Sequence, residues 1–401
     1  MAKGRVELRL AVVSPFLDRR HGTERALCEA VERLARDYPC QVHLFAQRVE
    51  DVAVRLPDER ATPAARVVWH RVPAIPGPHL LQFVFWFFRN HARRRAVSRA
   101  AGLPFDLVLS PGINCADADV VIVHALFHRL KELSTKPNVS APPFQKVHQA
   151  IYYRLMAWLE KKIYENPAVQ LAAVSPRTKS ELHRYFARQD VAVIPNAVDT
   201  AIFSPAARLL RREESRRRFG FTENDFVMLL IGNDWRVKGL PAVLEALKLL
   251  GDLPLRLLVV GTDAAQPFRE LARRLGVLPR CMWQQPTADV LAFYAAADLY
   301  VSPTMEDSFA FPVAEAMACG LPVITSINAG ISAYLEDGVD AFVLGDHRDL
   351  QILAQRIRQL HEQPALRQSV GNAAARKARG WTWERNTEQI WGLLQNALRK
   401  T

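Results

Sequence analysis

Short apolar segments alternate with helix-length amphipathic segments along this 401-residue chain. Strands and helices that alternate in this way form a parallel sheet covered by helices, so the pattern predicts an α/β fold. Helices are expected between the strands, among them residues 24–36, 208–218, 240–250 and 312–318. The strands are expected at residues 8–13, 42–46, 67–72, 107–110, 120–123, 171–174, 191–194, 227–231, 255–260, 299–301, 323–325 and 342–344.

A domain boundary is predicted at Pro195-Asn196, because this turn-forming pair follows the strand expected at 191–194. A charged helix then precedes the second series of strands. We therefore expect two doubly wound domains, residues 1–195 and 196–382. Since ligands of such sheets bind at the carboxyl ends of the strands, the chemistry is expected in a cleft between the two domains.

The composition excludes several other classes of protein. With 49% hydrophobic and 23% charged residues, the chain matches globular proteins and neither disordered nor fibrous ones. Its longest apolar run, residues 80–88, is shorter than the roughly 20 residues of a membrane-spanning helix. No export signal is recognisable after Arg9, so a cytoplasmic location is expected. The five cysteines include no Cys-x-x-Cys pair, which argues against a disulfide framework or a zinc site.

Basic residues are concentrated in the first half of the chain. The net charge is +12, and residues 1–200 carry 29 Lys and Arg against 19 Asp and Glu. Residues 80–99 combine Trp86 and several Phe with five Arg and no acidic residue. Two interpretations stay open: an amphipathic helix at an anionic membrane surface, or a sheet-covering helix with solvated Arg side chains. Nucleic acid is disfavoured as a partner, because no recognition fold accompanies the charge.

Two carboxylates flank a predicted junction of strand, loop and helix. The strand ends at Val301, the loop carries Asp307, and Pro312 suits the first turn of a helix, in which we also expect Glu315. Loop N–H groups and a helix N-terminus form an anion site suited to a phosphate. The carboxylates could accept hydrogen bonds from the hydroxyls of a ribose and a sugar, although Glu is also common in first helical turns for electrostatic reasons alone.

This segment resembles the Glu-x7-Glu motif of retaining, nucleotide-sugar-dependent glycosyltransferases with the GT-B architecture, family 4. Residues 307–315 read Asp-Ser-Phe-Ala-Phe-Pro-Val-Ala-Glu, and Gly320 and Pro322 continue the match. The resemblance implies two Rossmann-like domains with parallel sheets facing across a cleft. The first would bind the acceptor and would be completed by a terminal helix at about 383–401, and the second would bind the donor.

The same resemblance assigns roles around the carboxylates. It implies that Glu315 holds the ribose diol of the donor and that Asp307 approaches the hydroxyls of the transferred sugar. Asp307 stands where the family usually has Glu, and an Ala stands where it usually has Gly. Further donor-binding residues are expected at Phe309, Ala310, Phe311 and Gly330.

A second motif, residues 232–239, places two cations in a turn between a strand and a helix. Paired Arg and Lys can stabilise the negative charge that a diphosphate leaving group gains as the glycosidic bond breaks, without a metal. A solvated loop with two unrelated cations is the alternative. The family usually has Gly-Arg followed by Lys-Gly here, so Gly232 and Lys238 match, and Arg236 is the candidate replacement for the family's Arg. The Asp-aromatic-x-x-Lys-Gly sequence of this turn is similar to some lipopolysaccharide-core glucosyltransferases.

Two residues of the first half complete the predicted site. Gly22 follows the first strand and resembles part of the family's Gly-Gly-x-Glu loop, with Thr23 a possible cap for the next helix. His124 ends the strand at 120–123, where the family places a His beside the donor sugar; a buried core His is the alternative, and His128 is a weaker candidate. Asp117-Ala-Asp119 imitates a metal-binding Asp-x-Asp motif but precedes a strand, so we interpret it as a turn and expect no metal.

The favoured hypothesis is a glycosyltransferase that moves a sugar from a UDP- or GDP-linked donor to a cell-envelope glycan or lipid-linked acceptor, with retention of configuration and without a cofactor. It would work in the cytoplasm, with residues 80–99 as a possible contact to the inner face of the membrane. The alternative is a catalytically inactive sugar-nucleotide binder that acts as a membrane-surface scaffold or partner subunit. The departures from the family at Asn233, Asp307 and Ala310 motivate this alternative.

Overall fold

The computed structural model describes residues 7–57, 59, 66–133 and 143–400. The chain divides into two compact units. Unit 1 comprises Met1–Pro195 and Trp383–Thr401, and unit 2 comprises Asn196–Thr382. Both units are α/β, which confirms the predicted fold class.

Strands alternate with helices in unit 1. Its strands are β1 (Leu8–Val13), β2 (Phe16–Leu17), β3 (Cys40–Ala46), β4 (Arg48–Val49), β5 (Val54–Arg55), β6 (Val67–Arg71), β7 (Leu107–Pro111), β8 (Val120–Val123), β9 (Gln170–Ala173) and β10 (Val191–Val193). Its helices up to the boundary are α1 (Gly22–Asp37), α2 (His79–Ala101), α3 (Phe127–Leu133), α4 (Pro143–Tyr164) and α5 (Pro176–Phe186).

An eight-stranded parallel sheet forms the centre of unit 1. The strand order is β10-β9-β8-β7-β1-β3-β6-β5, and β2 and β4 pair separately beside it. Side chains such as Val13, Phe45, Val121 and Leu171 are fully or almost fully buried in one apolar cluster. Parallel strands are covered by helices on both faces, which is why these segments are almost entirely apolar in the sequence.

Unit 2 repeats this architecture with fewer strands. Its sheet has the order β13-β12-β11-β14-β15-β16, and each neighbouring pair is parallel. The strands are β11 (Phe226–Ile231), β12 (Leu255–Val260), β13 (Cys281–Gln284), β14 (Leu299–Ser302), β15 (Val323–Ser326) and β16 (Phe342–Leu344). The helices are α6 (Pro205–Arg218), α7 (Leu240–Leu249), α8 (Gln266–Arg274), α9 (Leu291–Ala296), α10 (Phe311–Ala318), α11 (Leu350–Glu362) and α12 (Pro364–Ala378).

The last helix, α13 (Trp383–Leu398), belongs to unit 1. It packs on α1, where the rings of Tyr38 and Trp391 lie 5.0 Å apart. The Asn386 side-chain amide donates a hydrogen bond of 2.8 Å to the carbonyl oxygen of Pro195. These contacts fix the end of the chain to the unit in which the chain begins.

Four strands were not predicted from the sequence. β2, β4 and β5 have two residues each, too few for a recognisable pattern. β13 reads Cys-Met-Trp-Gln and is only half-buried at the edge of its sheet, so it lacks the apolar run of a central strand. All twelve strands that the sequence predicts are present in the two sheets.

A pair of histidines lies in the core of unit 1. His43 Nδ1 and His70 Nε2 are 2.9 Å apart, and the rings stack at 5.2 Å. The other ring nitrogens, His43 Nε2 and His70 Nδ1, are buried without a hydrogen-bond partner in the described part of the chain. Burial, with a smaller contribution from nearby cations, lowers the pKa of His43 to about 4, and burial together with the neighbouring His43 lowers that of His70 to about 3.

We expect unit 1 to lose stability as the pH falls from 7 to 5. The unfolded chain binds protons at an ordinary His pKa of about 6.5, whereas the folded pair stays neutral, so acidification favours unfolding by about 2 kcal/mol for each histidine and about 4 kcal/mol for the pair. The double variant His43→Leu/His70→Leu should lose less unfolding free energy over this range in urea titrations. The variant His183→Leu, at an exposed histidine, is the control, and an unchanged pH slope in the double variant would contradict the prediction.

Candidate functional site

The loops that follow the neighbouring strands β11 and β14 meet at one edge of the unit 2 sheet. Lys238 Nζ contacts Asp307 Oδ2 in an ion pair, and both side chains are largely shielded from solvent. Two hydrogen bonds to backbone carbonyls hold the loops together: Met305 N–H donates to the Val237 carbonyl at 2.7 Å, and the Ser302 hydroxyl donates to the Lys238 carbonyl at 3.1 Å. The structure therefore brings together two of the predicted site residues, 69 positions apart in the chain.

The second oxygen of the Asp307 carboxylate is bound to the backbone at the start of α10. Oδ1 accepts hydrogen bonds from Ala310 N–H at 2.7 Å and Phe309 N–H at 3.3 Å. The Asp307 carbonyl accepts a hydrogen bond from Gly330 N–H at 2.7 Å, so the loop after β15 is joined to the same point. Asp307, Phe309, Ala310 and Gly330 thus form one connected group.

Ala310 adopts a left-handed backbone conformation, with φ of +76°. This region favours glycine, because a Cβ atom there is crowded by the backbone, at a cost of about 1–2 kcal/mol. Ala310 immediately precedes Phe311, the first residue of α10. The glycine that the family usually has at this position is therefore explained by the geometry, and the alanine here keeps the same turn.

Glu315 is buried and hydrogen-bonded, but it does not lie in the first turn of its helix as the sequence predicts. It is the fifth residue of α10 and lies beyond the first turn, because the helix begins at Phe311. Its Oε2 accepts a hydrogen bond of 2.6 Å from the Tyr294 hydroxyl. Burial and the Glu315 carboxylate raise the pKa of Tyr294 well above its usual range, so the phenol keeps its proton and donates.

Sequence reasoning missed Tyr294 as the residue that orients Glu315. The only signal was its place in an Ala-rich segment, Phe293-Tyr-Ala-Ala-Ala, shortly before β14. A buried tyrosine needs a partner for its hydroxyl, but the sequence does not show which carboxylate supplies it. The contact joins α9 to α10 across 21 positions.

The loop after β11 is fixed by carboxylate and amide side chains rather than by Arg236. Asp263 accepts hydrogen bonds from the N–H groups of Asp234 (2.9 Å) and Trp235 (2.6 Å), and Asn233 Oδ1 accepts from Thr262 N–H at 3.0 Å. The Arg236 side chain is exposed and makes no hydrogen bond or ion pair within the described residues. Arg236 therefore shares the loop of Lys238 without joining its contact to Asp307.

Glycines let the backbone turn closely around Lys238. Gly232 has φ of +141°, and a Cβ there would lie 3.1 Å from Cε of Lys238. Gly239 has φ of +82°, and a Cβ there would overlap the carbonyl oxygen of Pro303. Both positions exclude ordinary side chains, one because of the lysine and the other because of the backbone before the Asp307 loop.

In unit 1, Gly22 is the first residue of α1. The preceding turn is held by Asp18, which accepts hydrogen bonds from Arg20 N–H (2.9 Å), His21 N–H (3.0 Å) and the His21 ring (2.9 Å). Although burial opposes ionisation, the hydrogen bonds from His21 and Arg20 lower the pKa of Asp18. The suggested cap at Thr23 is wrong: His21 occupies the N-cap position, and its side chain makes no capping bond.

His124 follows directly after β8 and is half-buried. Burial lowers its pKa to about 4, so the ring is neutral near pH 7. It makes no hydrogen bond or ion pair with any other described residue. The rival residue His128 has a structural contact, since its Nδ1 lies 2.7 Å from the fully buried Glu160.

Asp117 and Asp119 make contacts that stabilise unit 1. Asp117 pairs with the buried Arg94 guanidinium at 2.6 Å, and Asp119 accepts a hydrogen bond of 2.7 Å from Val108 N–H. Across the ranges that the structure describes, no group of three or more His, Cys, Asp or Glu side chains could hold a metal ion. The two aspartates lie in a turn before β8, as the sequence predicts.

Solved structures with the same architecture define the class of fold. WaaG, a glycosyltransferase involved in lipopolysaccharide biosynthesis, matches with a TM-score of 0.76 and 20% identity over 95% of this chain and 98% of its own. Sucrose-phosphate synthase from Thermosynechococcus elongatus matches with a TM-score of 0.75 and 19% identity over 98% and 100%. HepE from Anabaena, in complex with UDP-glucose, matches with a TM-score of 0.69 and 17% identity over 97% of this chain and 100% of its own. The fold is GT-B.

Family models give a narrower assignment. Residues 211–377 match the model of glycosyl transferases group 1, and residues 20–202 match the model of Glycosyltransferase Family 4. The chain belongs to the group 1 glycosyltransferase family. Among curated relatives, the D-inositol 3-phosphate glycosyltransferase of Corynebacterium diphtheriae is 28% identical over 58% of this chain and 56% of its own length. The enzyme of that name from Thermobifida fusca is 30% identical over 52% of this chain and 50% of its own length.

The variant Gly239→Ala should destabilise unit 2 by about 3 kcal/mol, because it adds a clash with Pro303 to the strain of a left-handed backbone. Gly276→Ala is the matched control, since Gly276 has φ of +73° but open space around its Cα, and it should cost about 1 kcal/mol. Urea unfolding followed by tryptophan fluorescence measures both values. Equal losses in the two variants would show that the approach of the two loops is not tight.

Proposed function

We propose that this chain transfers a sugar from a nucleoside diphosphate donor to a cell-envelope glycan or lipid-linked acceptor, with retention of configuration. Unit 2 would bind the donor and unit 1 the acceptor. The observation that carries the proposal is the convergence of Lys238, Asp307 and the start of α10 at the carboxyl edge of one parallel sheet. That edge is where doubly wound sheets bind their ligands.

The charges at this edge suit a diphosphate leaving group. As the glycosidic bond breaks, negative charge accumulates on the departing phosphate oxygen, and the Lys238 ammonium would stabilise it directly. Asp307 would then exchange its contact with Lys238 for the hydroxyls of the transferred sugar. Arg236, exposed in the same loop, would add a second positive charge to the approach of the donor.

The remaining predicted residues would fix the nucleoside and the sugar. Glu315, oriented by Tyr294, would accept hydrogen bonds from the ribose diol. The neutral ring of His124 would donate or accept a hydrogen bond rather than supply a charge. We assign no metal or other cofactor to the reaction. The complex of the similarly folded HepE with UDP-glucose supports a UDP-linked sugar as the first donor to test.

The acceptor is left as a broad class. The chain spans a little more than half the length of the curated relatives that it matches, and these are named for D-inositol 3-phosphate. WaaG, which shares the fold, is described as a glycosyltransferase of lipopolysaccharide biosynthesis. Both names are compatible with an acceptor at the cell envelope.

Replacing Lys238 by Met should lower kcat/KM for sugar transfer at least about 100-fold, because it removes the charge nearest the leaving group. Transfer is measured with radiolabelled UDP- and GDP-sugars and envelope membranes as acceptor. The variant Lys248→Met is the matched control, since Lys248 is an exposed lysine on the adjacent helix α7. It should transfer at the wild-type rate.

Three results would contradict parts of the proposal. Full activity of Lys238→Met would remove Lys238 from the reaction. Failure of wild-type protein to bind or turn over any nucleotide sugar would remove the activity itself. Nucleotide binding without turnover, and a cellular role that survives Glu315→Ala, would favour the inactive-scaffold alternative.

We further propose that α2 contacts an anionic membrane surface. One side of α2 buries Trp86 and Arg94 in unit 1. On the other side Leu81 is 57% exposed and Phe88 is 69% exposed. Leu81, Phe88 and the exposed Arg95 are spaced seven residues apart, so they share one face of the helix. Apolar and cationic side chains on one exposed face suit an interface of lipid headgroups. No helix among the described residues is long and apolar enough to span a membrane.

Charge reversal of Arg89, Arg93 and Arg95 to Glu should weaken binding to phosphatidylglycerol vesicles more than about 100-fold, at about 1 kcal/mol for each lost cation. Vesicle co-sedimentation measures the effect. The matched control reverses three exposed arginines elsewhere, namely Arg376, Arg379 and Arg399. If both triple variants bind equally, or if wild-type protein binds phosphatidylcholine as well, α2 is not an anionic-surface contact.

A further inference from the structure

A cavity of about 670 Å³ is lined, within the described part of the chain, by residues of unit 1. It lies where two neighbouring strands of the unit 1 sheet end, because Pro15 follows β1 and Gln47 follows β3. Pro78 and His79, at the start of α2, also line it. The carboxyl ends of parallel strands are the usual ligand side of such a sheet. Its volume is within the range of about 300–1,000 Å³ typical of small-molecule sites.

Aromatic rings form much of the cavity wall. Phe83 and Trp86 come from α2, Tyr152 and Tyr153 from α4, and Phe16 from β2. Tyr152 and Tyr153 stand edge to face at 5.9 Å, and Tyr152 also contacts Phe83 at 6.5 Å. Rings from three separate elements therefore converge on one space and offer flat apolar faces to a ligand.

Polar groups that both donate and accept hydrogen bonds lie between these rings. Two amides, Gln47 and Gln82, and two imidazoles, His79 and His148, line the cavity. The indole of Trp86 is 2% exposed, and its N–H has no acceptor within the described residues. The amides and imidazoles are therefore the groups of the wall that can exchange hydrogen bonds with ligand hydroxyls, whereas the Trp86 N–H is closed off from solvent.

Full charges are absent from the described wall of the cavity. No Lys, Arg, Asp or Glu is among the described residues that line it. Arg48, a cation beside the cavity, stacks over Phe16 at 5.8 Å and is paired with Glu50 at 3.5 Å and with the buried Asp18 at 4.0 Å. Among the described residues, no unpaired cation of the wall would compensate a phosphate or carboxylate for the hydration that it loses in this cavity.

We propose that this cavity binds an uncharged sugar ring of the acceptor. A sugar has apolar C–H faces that stack on aromatic rings and hydroxyls that exchange hydrogen bonds with amides and imidazoles, which matches both parts of the wall. The inference rests on the proposed function for the identity of the ligand as an acceptor. It goes further by specifying an unphosphorylated ring at this position.

Saturation-transfer NMR with the full chain tests the ligand class directly. The probes are methyl α-D-glucopyranoside, glucose 6-phosphate and 1-octanol, each added to protein without a nucleotide. We expect the glucoside to bind at least fivefold more tightly than the phosphate, and octanol not to displace it. Equal or tighter binding of the phosphate would overturn the neutrality of the site, and displacement by octanol would show a hydrocarbon site.

Cavity variants locate the binding. Tyr153→Ala and Gln82→Ala should each weaken glucoside binding about fivefold, through loss of a stacking face and of a hydrogen-bonding amide. Tyr153→Phe should retain most of the binding. It keeps the aromatic ring, so it shows whether the loss in Tyr153→Ala comes from the missing ring or from a disturbed fold. Phe88→Ala is the control, because Phe88 is exposed on α2 and does not line the cavity. Unchanged binding in both Ala variants would overturn the assignment.

The same variants distinguish this inference from the proposed function. If transfer occurs but Tyr153→Ala leaves the acceptor KM unchanged, the cavity is not the acceptor site although the enzyme is a glycosyltransferase. If no transfer occurs but the glucoside binds and the variants weaken it, the sugar site stands and the proposed reaction fails. An increase in acceptor KM with little change in donor KM supports both.

Discussion

The ion pair between Lys238 and Asp307 depends on the parallel pairing of β11 with β14. Because both strands run in the same direction, the loops that follow them emerge at one edge of the sheet. Neither charge is fully exposed, so removal of one partner would leave the other poorly compensated. The pair thus ties the position of each loop to the other and to the start of α10, where the second Asp307 oxygen is bound.

Backbone conformation makes this convergence possible. Gly239 lets the chain pass close to the carbonyl of Pro303, and Ala310 holds a left-handed turn although it carries a Cβ atom. The strain at Ala310 is tolerated because Asp307 accepts the Ala310 N–H and α10 begins immediately afterwards. Local strain in this loop is therefore balanced by the contacts that arrange the carboxylate.

Local patterns were sufficient for the central strands and for most of the helices. Buried parallel strands such as β1 and β12 are apolar except for one arginine each, Arg9 and Arg256, and their limits agree with the sequence expectation. The two-residue strands and the edge strand β13 carry too few apolar residues for such a pattern. At the site, the sequence identified Lys238, Asp307 and Glu315 as candidates, but Tyr294 emerged only from packing, since nothing local relates a residue of α9 to one of α10.

The sequence by itself determined the α/β class, the family resemblance and the residue types of the donor motif, because periodicity and short motifs depend on neighbours in the chain. Tertiary structure alone decided which of those residues meet. It joined Lys238 to Asp307 and left Arg236 in solvent, and it gathered aromatic side chains from α2 and α4 into the cavity of unit 1. Contacts of this kind depend on strand order and helix packing, which are set by the whole core rather than by any segment of it.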